Sequence, residues 1–351
     1  MPRPSNHDFG VWVTGLDGQK ITLSAEEHRA DMNHPGVIGV YWKGGYGHAG
    51  AIVDSQETSV TRAFTSLSDT SPPVCRSDEL TACEPVDLDG WAFPSDPGGA
   101  GLDFFETTFE TELGPIGAWV VPSEGSTTWA IHVHGLGAAR RETIRTLRTY
   151  HRRGVTSMVI DYRNDPGAPP DPSGHYRFGL TEWADLHAAV DFALDHGAEQ
   201  LILAGYSTGA AIVMAFTERS RHTEKVERIV FDSPNADMGR TVRFAAARET
   251  LPFVPLKVPH SLTAVAMAIT HLRWGVDWKA INYVDRVALT VPVLVFHGTA
   301  DQTVPIEVSR ALADANPRSV QLIEVPEAGH VMSWNADPSR YEKHLGGFLG
   351  L

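Results

Sequence analysis

Cysteine is nearly missing: Cys75 and Cys83, in CRSDELTAC, are the only two in 351 residues. So few exclude a disulfide framework and leave room for at most one loop-closing bridge, and two free thiols are expected. Basic residues are also scarce. Against 43 Asp+Glu stand 29 Lys+Arg, a formal charge of −14 that repels the phosphate backbone and argues against a nucleic-acid partner. Long apolar runs are absent as well. The longest, SLTAVAMAITHL at 261–272, falls short of the roughly 20 residues that span a bilayer, so no integral membrane segment is expected. The start, MPRPSNHDFG, lacks the basic region and apolar run of a secretory signal, which points by default to the cytoplasm. With 42% hydrophobic and 21% charged residues and no low-complexity tract, the chain reads as a folded catalyst or binder.

Its length suggests one large domain with an appendage. Residues 1–100 carry short strand patterns, VIGVYW at 37–42 and TSVTRAF at 58–64, separated by Gly-rich turns such as KGGYGHAG. The Pro/Gly/Asp-rich stretch FPSDPGGAG at 93–101 then marks a boundary. Residues 1–100 are therefore expected to form a β-rich appendage, and 101–351 the main domain.

In the main domain FFETTFET and IGAWVV suggest a β-hairpin. Strand candidates then follow at 128–134, 156–162, 200–206, 228–232, 292–298 and 320–325, with helical patterns around 140–153, 181–196, 208–220 and 305–315. Gly154 closes the first helix, Thr181 and Glu182 open the second, and Pro305 starts the last. Such alternation predicts an α/β fold with a doubly wound, mostly parallel sheet. Residues 234 to about 290 interrupt it with helical, Pro-punctuated sequence, a candidate lid.

The strand QLILAGY runs into GYSTG at 205–209, and AAIVMAFTER continues as a helix. A bare Gly-x-Ser-x-Gly arises by chance in roughly one chain in ten of this length. Between an apolar strand and a helix it has a specific meaning. The turn is so tight that only small residues flank the serine, and it presents the hydroxyl at a helix N-terminus. Ser207 is thus the candidate nucleophile. Because a hydroxyl is a poor nucleophile at neutral pH, an imidazole must take its proton and a carboxylate must orient that imidazole.

For this motif the partners follow in the order Ser, Asp or Glu, His, on loops after later strands. PVLVFHGTADQTVP supplies Asp301 and VQLIEVPEAGHVMSW supplies His330. Asp232, ending RIVFD, is the runner-up acid. Oxyanion donors are expected at the backbone N–H of Thr208 and, in the His134-Gly135-Leu136-Gly137 turn, of Leu136. His132 and His134 alternate on one strand but lack a third ligand at suitable spacing, so packing roles are expected and no metal or organic cofactor is implied.

Together HGLG, GYSTG, HGTADQTVP and EAGH resemble the α/β-hydrolase superfamily, and look most similar to its prolyl-oligopeptidase-like and BEM46-like members, over residues 103–351. YRNDPGAPPDPSGHYRFGLTEW also resembles a loop of actinobacterial members. The resemblance implies nucleophile Ser207, acid Asp301, base His330 and oxyanion donors Leu136 and Thr208. Thr208 stands where relatives commonly carry Met or Gln, and its backbone N–H is equally available. The first hundred residues match no motif of the family, so it transfers nothing to them.

The insertion holds Leu251, Phe253, Val254, Leu256 and Leu262, too many apolar groups for a solvated loop. They suggest a cap on the core or a wall for an acyl or aromatic group. Arg240, Arg243, Arg248 and Lys257 are expected on a solvated face. The reading that follows is a serine carboxylesterase acting on a small-molecule ester or acyl substrate with an apolar group, its activity rising with pH as His330 loses its proton. The alternatives are a peptidase or amidase with the same triad, or a non-catalytic binding protein on the same fold.

Overall fold

The computed structural model describes residues 10–29, 31–251 and 256–350. Strand patterns in the first ninety positions build a six-stranded antiparallel sheet from β1 (Trp12–Asp17), β2 (Lys20–Ser24), β3 (Ile38–Trp42), β4 (Gly45–Ser55), β5 (Ser59–Ser66) and β6 (Asp87–Asp89). Its spatial order is β1-β2-β5-β4-β3-β6. Val13, Ile21, Leu23, Val40, Val60 and Phe64 form its buried core. Within it lies a fully buried cation, Arg62, whose guanidinium donates to the carbonyls of Met32, His34, Gly36 and Gly50. A buried charge needs such a cage, and this one fixes the 32–36 loop.

Cys75 and Cys83 are bonded to each other, correcting the expectation of free thiols. A 3-10 turn at Leu80–Ala82 folds the segment back and brings the two Cα atoms to 5.4 Å, within disulfide range. Sequence spacing could not show that turn. A bonded pair is also at odds with a reducing cytoplasm.

The second sheet has eight strands, β7 (Phe105–Thr111), β8 (Gly114–Val121), β9 (Thr128–Val133), β10 (Thr156–Ile160), β11 (Gln200–Tyr206), β12 (Val226–Asp232), β13 (Val293–Gly298) and β14 (Val320–Val325). Their order is β14-β13-β12-β11-β9-β10-β8-β7, parallel from β14 to β10, with β8 and β7 forming the expected antiparallel hairpin. The central strands β9, β10, β11 and β13 are buried on both faces and mostly apolar. Alternate residues sort to opposite sides. Leu201 and Leu203 of β11 pack with helices α2 (Trp183–Asp195), α3 (Thr208–Arg219) and α6 (Glu307–Ala315), whereas Ile202 and Ala204 pack with α1 (Ile144–Arg152) and α7 (Pro338–Leu349). The doubly wound, mostly parallel sheet expected from the alternation is the one found.

Between β12 and β13 the chain adds α4 (Met238–Arg248) and α5 (His260–Trp274). Thr263 and Met267 are the buried residues of α5, and the Trp278 indole donates to the Met267 carbonyl at 2.9 Å. Phe253 and Val254 lie outside the described residues. Leu256 and Leu262, expected to cap the core or to wall a substrate group, are exposed, as are Val265, Ile269 and Leu272. Only one face of α5 can lie on α4, and this apolar stripe is on the other. Arg240 and Arg248 of α4 donate to the carbonyls of Glu307 and Gln302, tying the insertion to the loop after β13. Among the described residues no helix is long and apolar enough to cross a membrane.

Candidate active site

The β11–α3 turn holds Ser207 at φ +50°, ψ −116°, a conformation that non-glycine residues rarely adopt. The surroundings enforce it. The Ser207 N–H donates to the Asp232 carbonyl at 3.0 Å, and its carbonyl accepts from the Asn235 N–H at 3.0 Å. A Cβ at Gly205 would lie 2.6 Å from the Ala210 Cα, and one at Gly209 would lie 2.0 Å from the Val133 carbonyl oxygen. Both glycines are therefore demanded by close backbone approach.

Ser207 Oγ lies 2.8 Å from Nε2 of His330, and Nδ1 of the same ring lies 2.7 Å from Oδ2 of Asp301. Ser207 and Asp301 are buried and the His330 side chain is partly open. Asp301 Oδ1 accepts from the N–H groups of Thr303 and Val304 at 2.8 and 2.9 Å. Burial alone would raise the Asp301 pKa, but hydrogen bonds from His297 and His330 and their charges hold it well below the usual carboxylate range. An ionised carboxylate only accepts, so His330 Nδ1 carries a proton and Nε2 is the ring nitrogen that faces the serine hydroxyl. The β13 and β14 loops are joined by the Ala300 N–H bond to the Ala328 carbonyl, and Val331 N–H donates to Ser233 Oγ at 3.0 Å.

His297 is a participant that sequence reasoning passed over. Fully buried at the end of β13, its Nε2 lies 3.3 Å from Asp301 Oδ2 and 3.1 Å from the Val304 carbonyl, while Nδ1 lies 2.7 Å from Ser309 Oγ. Two acceptors on Nε2 place the proton there, so Ser309 donates to Nδ1. The signal was present: a histidine closing the apolar run VLVFHG, four residues before the candidate acid.

Asp232, the alternative acid, stays apart from His330. Burial pushes its pKa up to about 6, and its Oδ1 accepts from Ser333 Oγ at 3.0 Å. The loop after β9 does reach the serine: a Cβ at Gly135 would lie 3.0 Å from the Ser207 Cβ. The Gly135 N–H is consumed by Glu142 Oε2 at 2.7 Å, a second residue that sequence reasoning missed. Among the described residues the Leu136 N–H, at the exposed tip of this loop, has no acceptor. Thr208 opens α3, where a backbone N–H has no intrahelical partner.

His132 and His134 do not converge. His132 is buried against Tyr150 and Ser157, and burial lowers its pKa to about 3. His134 stacks on Tyr162 with Nε2 3.0 Å from Asp165 Oδ2, and Arg140 Nε satisfies the neighbouring Asp161 at 3.1 Å. Burial alone would lower the His134 pKa, but the Asp165 hydrogen bond and charge raise it.

The sequence profile of the alpha/beta hydrolase family matches residues 130–343. An uncharacterized Escherichia coli protein, YfhR, is 22% identical over 263 residues, 74% of this chain and 75% of its own. Among solved structures, the Pyrococcus furiosus esterase Pf2001 superposes with a TM-score of 0.55 at 19% identity, covering 73% of this chain and 95% of that one. Est1E from Butyrivibrio proteoclasticus, solved with ferulic acid bound, gives 0.51 at 20% identity, covering 69% and 97%. At such identities the superpositions speak for the fold.

Proposed function

The chain belongs to the alpha/beta hydrolase family, and we propose that it is a serine carboxylesterase with Ser207 as nucleophile, His330 as base and Asp301 as the orienting acid. One observation carries this reading: the unbroken relay from Ser207 Oγ through His330 to Asp301, with contacts of 2.8 and 2.7 Å. His330 Nε2 takes the serine proton as Oγ attacks the ester carbonyl, and Asp301 stabilises the imidazolium that forms. The tetrahedral oxyanion accepts from the N–H groups of Leu136 and Thr208. His330 then protonates the leaving alkoxide, and water activated by the same ring hydrolyses the acyl-enzyme.

The esterases among the structural neighbours support an ester over an amide. Est1E, with its aromatic acid bound, supports an apolar acyl group here. The wall for that group is assigned to the 234–290 insertion, whose helix α4 is tied through Arg248 to the loop that carries Asp301. Residues 1–100 are the appendage in this scheme, and 101–351 the catalytic domain. The HGLG, GYSTG and EAGH motifs further support the prolyl-oligopeptidase-like and BEM46-like branch, and the 162–183 loop its actinobacterial members.

Nitrophenyl esters of graded acyl length and a fluorophosphonate probe test the proposal. The wild-type protein is expected to turn over the esters and label once per chain, and Ser207→Ala to lose both. Full ester turnover by Ser207→Ala, or failure of the wild type to react with any serine-directed probe, would overturn it.

A further inference from the structure

On α2, His187 and Asp191 are four residues apart and share one helix face. Past the end of α3 the chain turns back and sets His222 against them. The two imidazoles stack, their centroids 5.1 Å apart and their planes 20° from parallel. One ring nitrogen of His187, one of His222 and an Asp191 carboxylate oxygen lie within 4.8 Å of one another. The individual separations are 3.5 Å from His187 to Asp191 and 2.7 Å from His222 to Asp191. We propose that His187, Asp191 and His222 bind a divalent transition metal ion of the zinc class.

Donor chemistry and spacing both fit. Two imidazoles and one carboxylate form a common ligand set for such ions, with water completing the shell. Ligands at about 2.05 Å in a tetrahedron stand roughly 3.3 Å apart. The observed 3.5 Å to Asp191 Oδ2 and 2.7 Å to Oδ1 lie on either side of that value, and all the ligand atoms are within 4.8 Å, so binding asks for side-chain shifts of about an ångström.

A supporting hydrogen bond is also in place. Ser220 Oγ lies 2.8 Å from His187 Nδ1, which turns the other ring nitrogen toward the cluster, as a metal ligand requires.

The protons within the cluster do not close on themselves. Arg221 Nε lies 3.2 Å from His222 Nε2, and a guanidinium can only donate, so this contact needs a lone pair on that nitrogen. The same nitrogen lies 2.7 Å from the Asp191 carboxylate, which can only accept. One atom cannot serve both. A cation between the imidazole and the carboxylate would satisfy that pair through the nitrogen lone pair, and Arg221 would then have to leave Nε2. The exposed Arg221 side chain, 3.1 Å from Asp191, supplies a positive charge at its edge and can swing away. A bound ion would pin the end of α3, the helix that Ser207 opens, to α2.

The test is calorimetric titration of the chelator-treated, full-length protein with zinc chloride, followed by thermal unfolding. One saturable micromolar site and a higher unfolding temperature are expected. His222→Gln and Asp191→Asn should each weaken binding by at least about tenfold while the metal-free variants keep the wild-type circular-dichroism spectrum. Arg221→Ala removes the competing cation and should tighten binding severalfold. No saturable uptake by the wild type, uptake unchanged in both ligand variants, or weaker binding by Arg221→Ala would overturn the assignment.

Discussion

Asn335 and Val37, nearly three hundred residues apart, exchange two hydrogen bonds: the Val37 N–H donates to the Asn335 carbonyl, and the Asn335 side-chain amide donates to the Val37 carbonyl, each at 2.7 Å. The same amide donates to the Gly90 carbonyl at 2.8 Å, and Arg145 donates to its oxygen. A fully buried side chain thus fastens the six-stranded sheet to the segment that follows His330. Asn335→Ala would strand the Val37 and Gly90 carbonyls and the Arg145 guanidinium. The expected loss is about 1–3 kcal/mol of stability, by the scale for unsatisfied buried groups. Ester turnover should show a lower kcat with little change in KM, because the imidazole is held less well while the acyl wall is untouched. Unfolding curves and steady-state kinetics together check this. A kcat equal to wild type would remove the N-terminal sheet from any part in placing His330.

Asp301→Asn is expected to lower kcat by about 10⁴, the scale for a base left without its orienting carboxylate. Stability should change with a definite pH sense. Hydrogen bonds in the fold hold the Asp301 pKa below its unfolded value, so its ionised form stabilises the protein above the unfolded pKa of about 3.9. That contribution disappears as pH falls through the folded value. The stability gap between wild type and variant should therefore be full at pH 7 and narrow on acidification below about pH 4. Denaturant titrations at several pH values measure it, and a gap that widened in acid would refute the assignment of the charge.

The parts of this architecture legible in sequence are those with local causes. The β11–Ser207–α3 turn is written in two glycines that a Cβ would drive into neighbouring backbone. Asp301 and His330 follow from chain order, because a parallel sheet sets successive loops side by side at one edge. Contacts between distant segments leave no comparable trace. The Asn335–Val37 exchange, the Glu142 bond to Gly135 and the closure of Cys75 onto Cys83 each depend on how the chain turns in three dimensions. The apolar residues of the insertion are a related case: their number in sequence does not say what lies opposite them, and Leu256 and Leu262 are exposed.

His297 offers a test of positioning within the relay. It donates to Asp301 and makes its other hydrogen bonds to Val304 and Ser309, so its removal should act through the carboxylate. A hydrogen bond to a charged group contributes about 1.5–3 kcal/mol, and His297→Ala should lower kcat roughly tenfold or more with KM nearly unchanged. His297→Gln, which restores an N–H donor, should recover part of the loss. Equal activity in both variants, at wild-type level, would leave His297 a packing residue.

Asp232 makes the last test, one of stability alone. Its pKa, pushed up to about 6 by burial, lies above the unfolded value of about 3.9, so the folded protein holds this proton more tightly than the unfolded chain. Between those two values the folded form is protonated and the unfolded form is not, and stability falls as pH rises. Above about pH 6 the penalty is complete, up to about 3 kcal/mol. Asp232→Asn keeps an oxygen for the Ser333 hydroxyl and removes the buried charge. It should therefore raise the unfolding temperature at pH 7.5 by several degrees and change it little near pH 4. Ester turnover should persist, since Asp232 makes no contact with His330. Melting curves at the two pH values decide the matter: a variant less stable than wild type at pH 7.5 would mean that Asp232 is held as a favourable charge, with Arg145 outweighing burial.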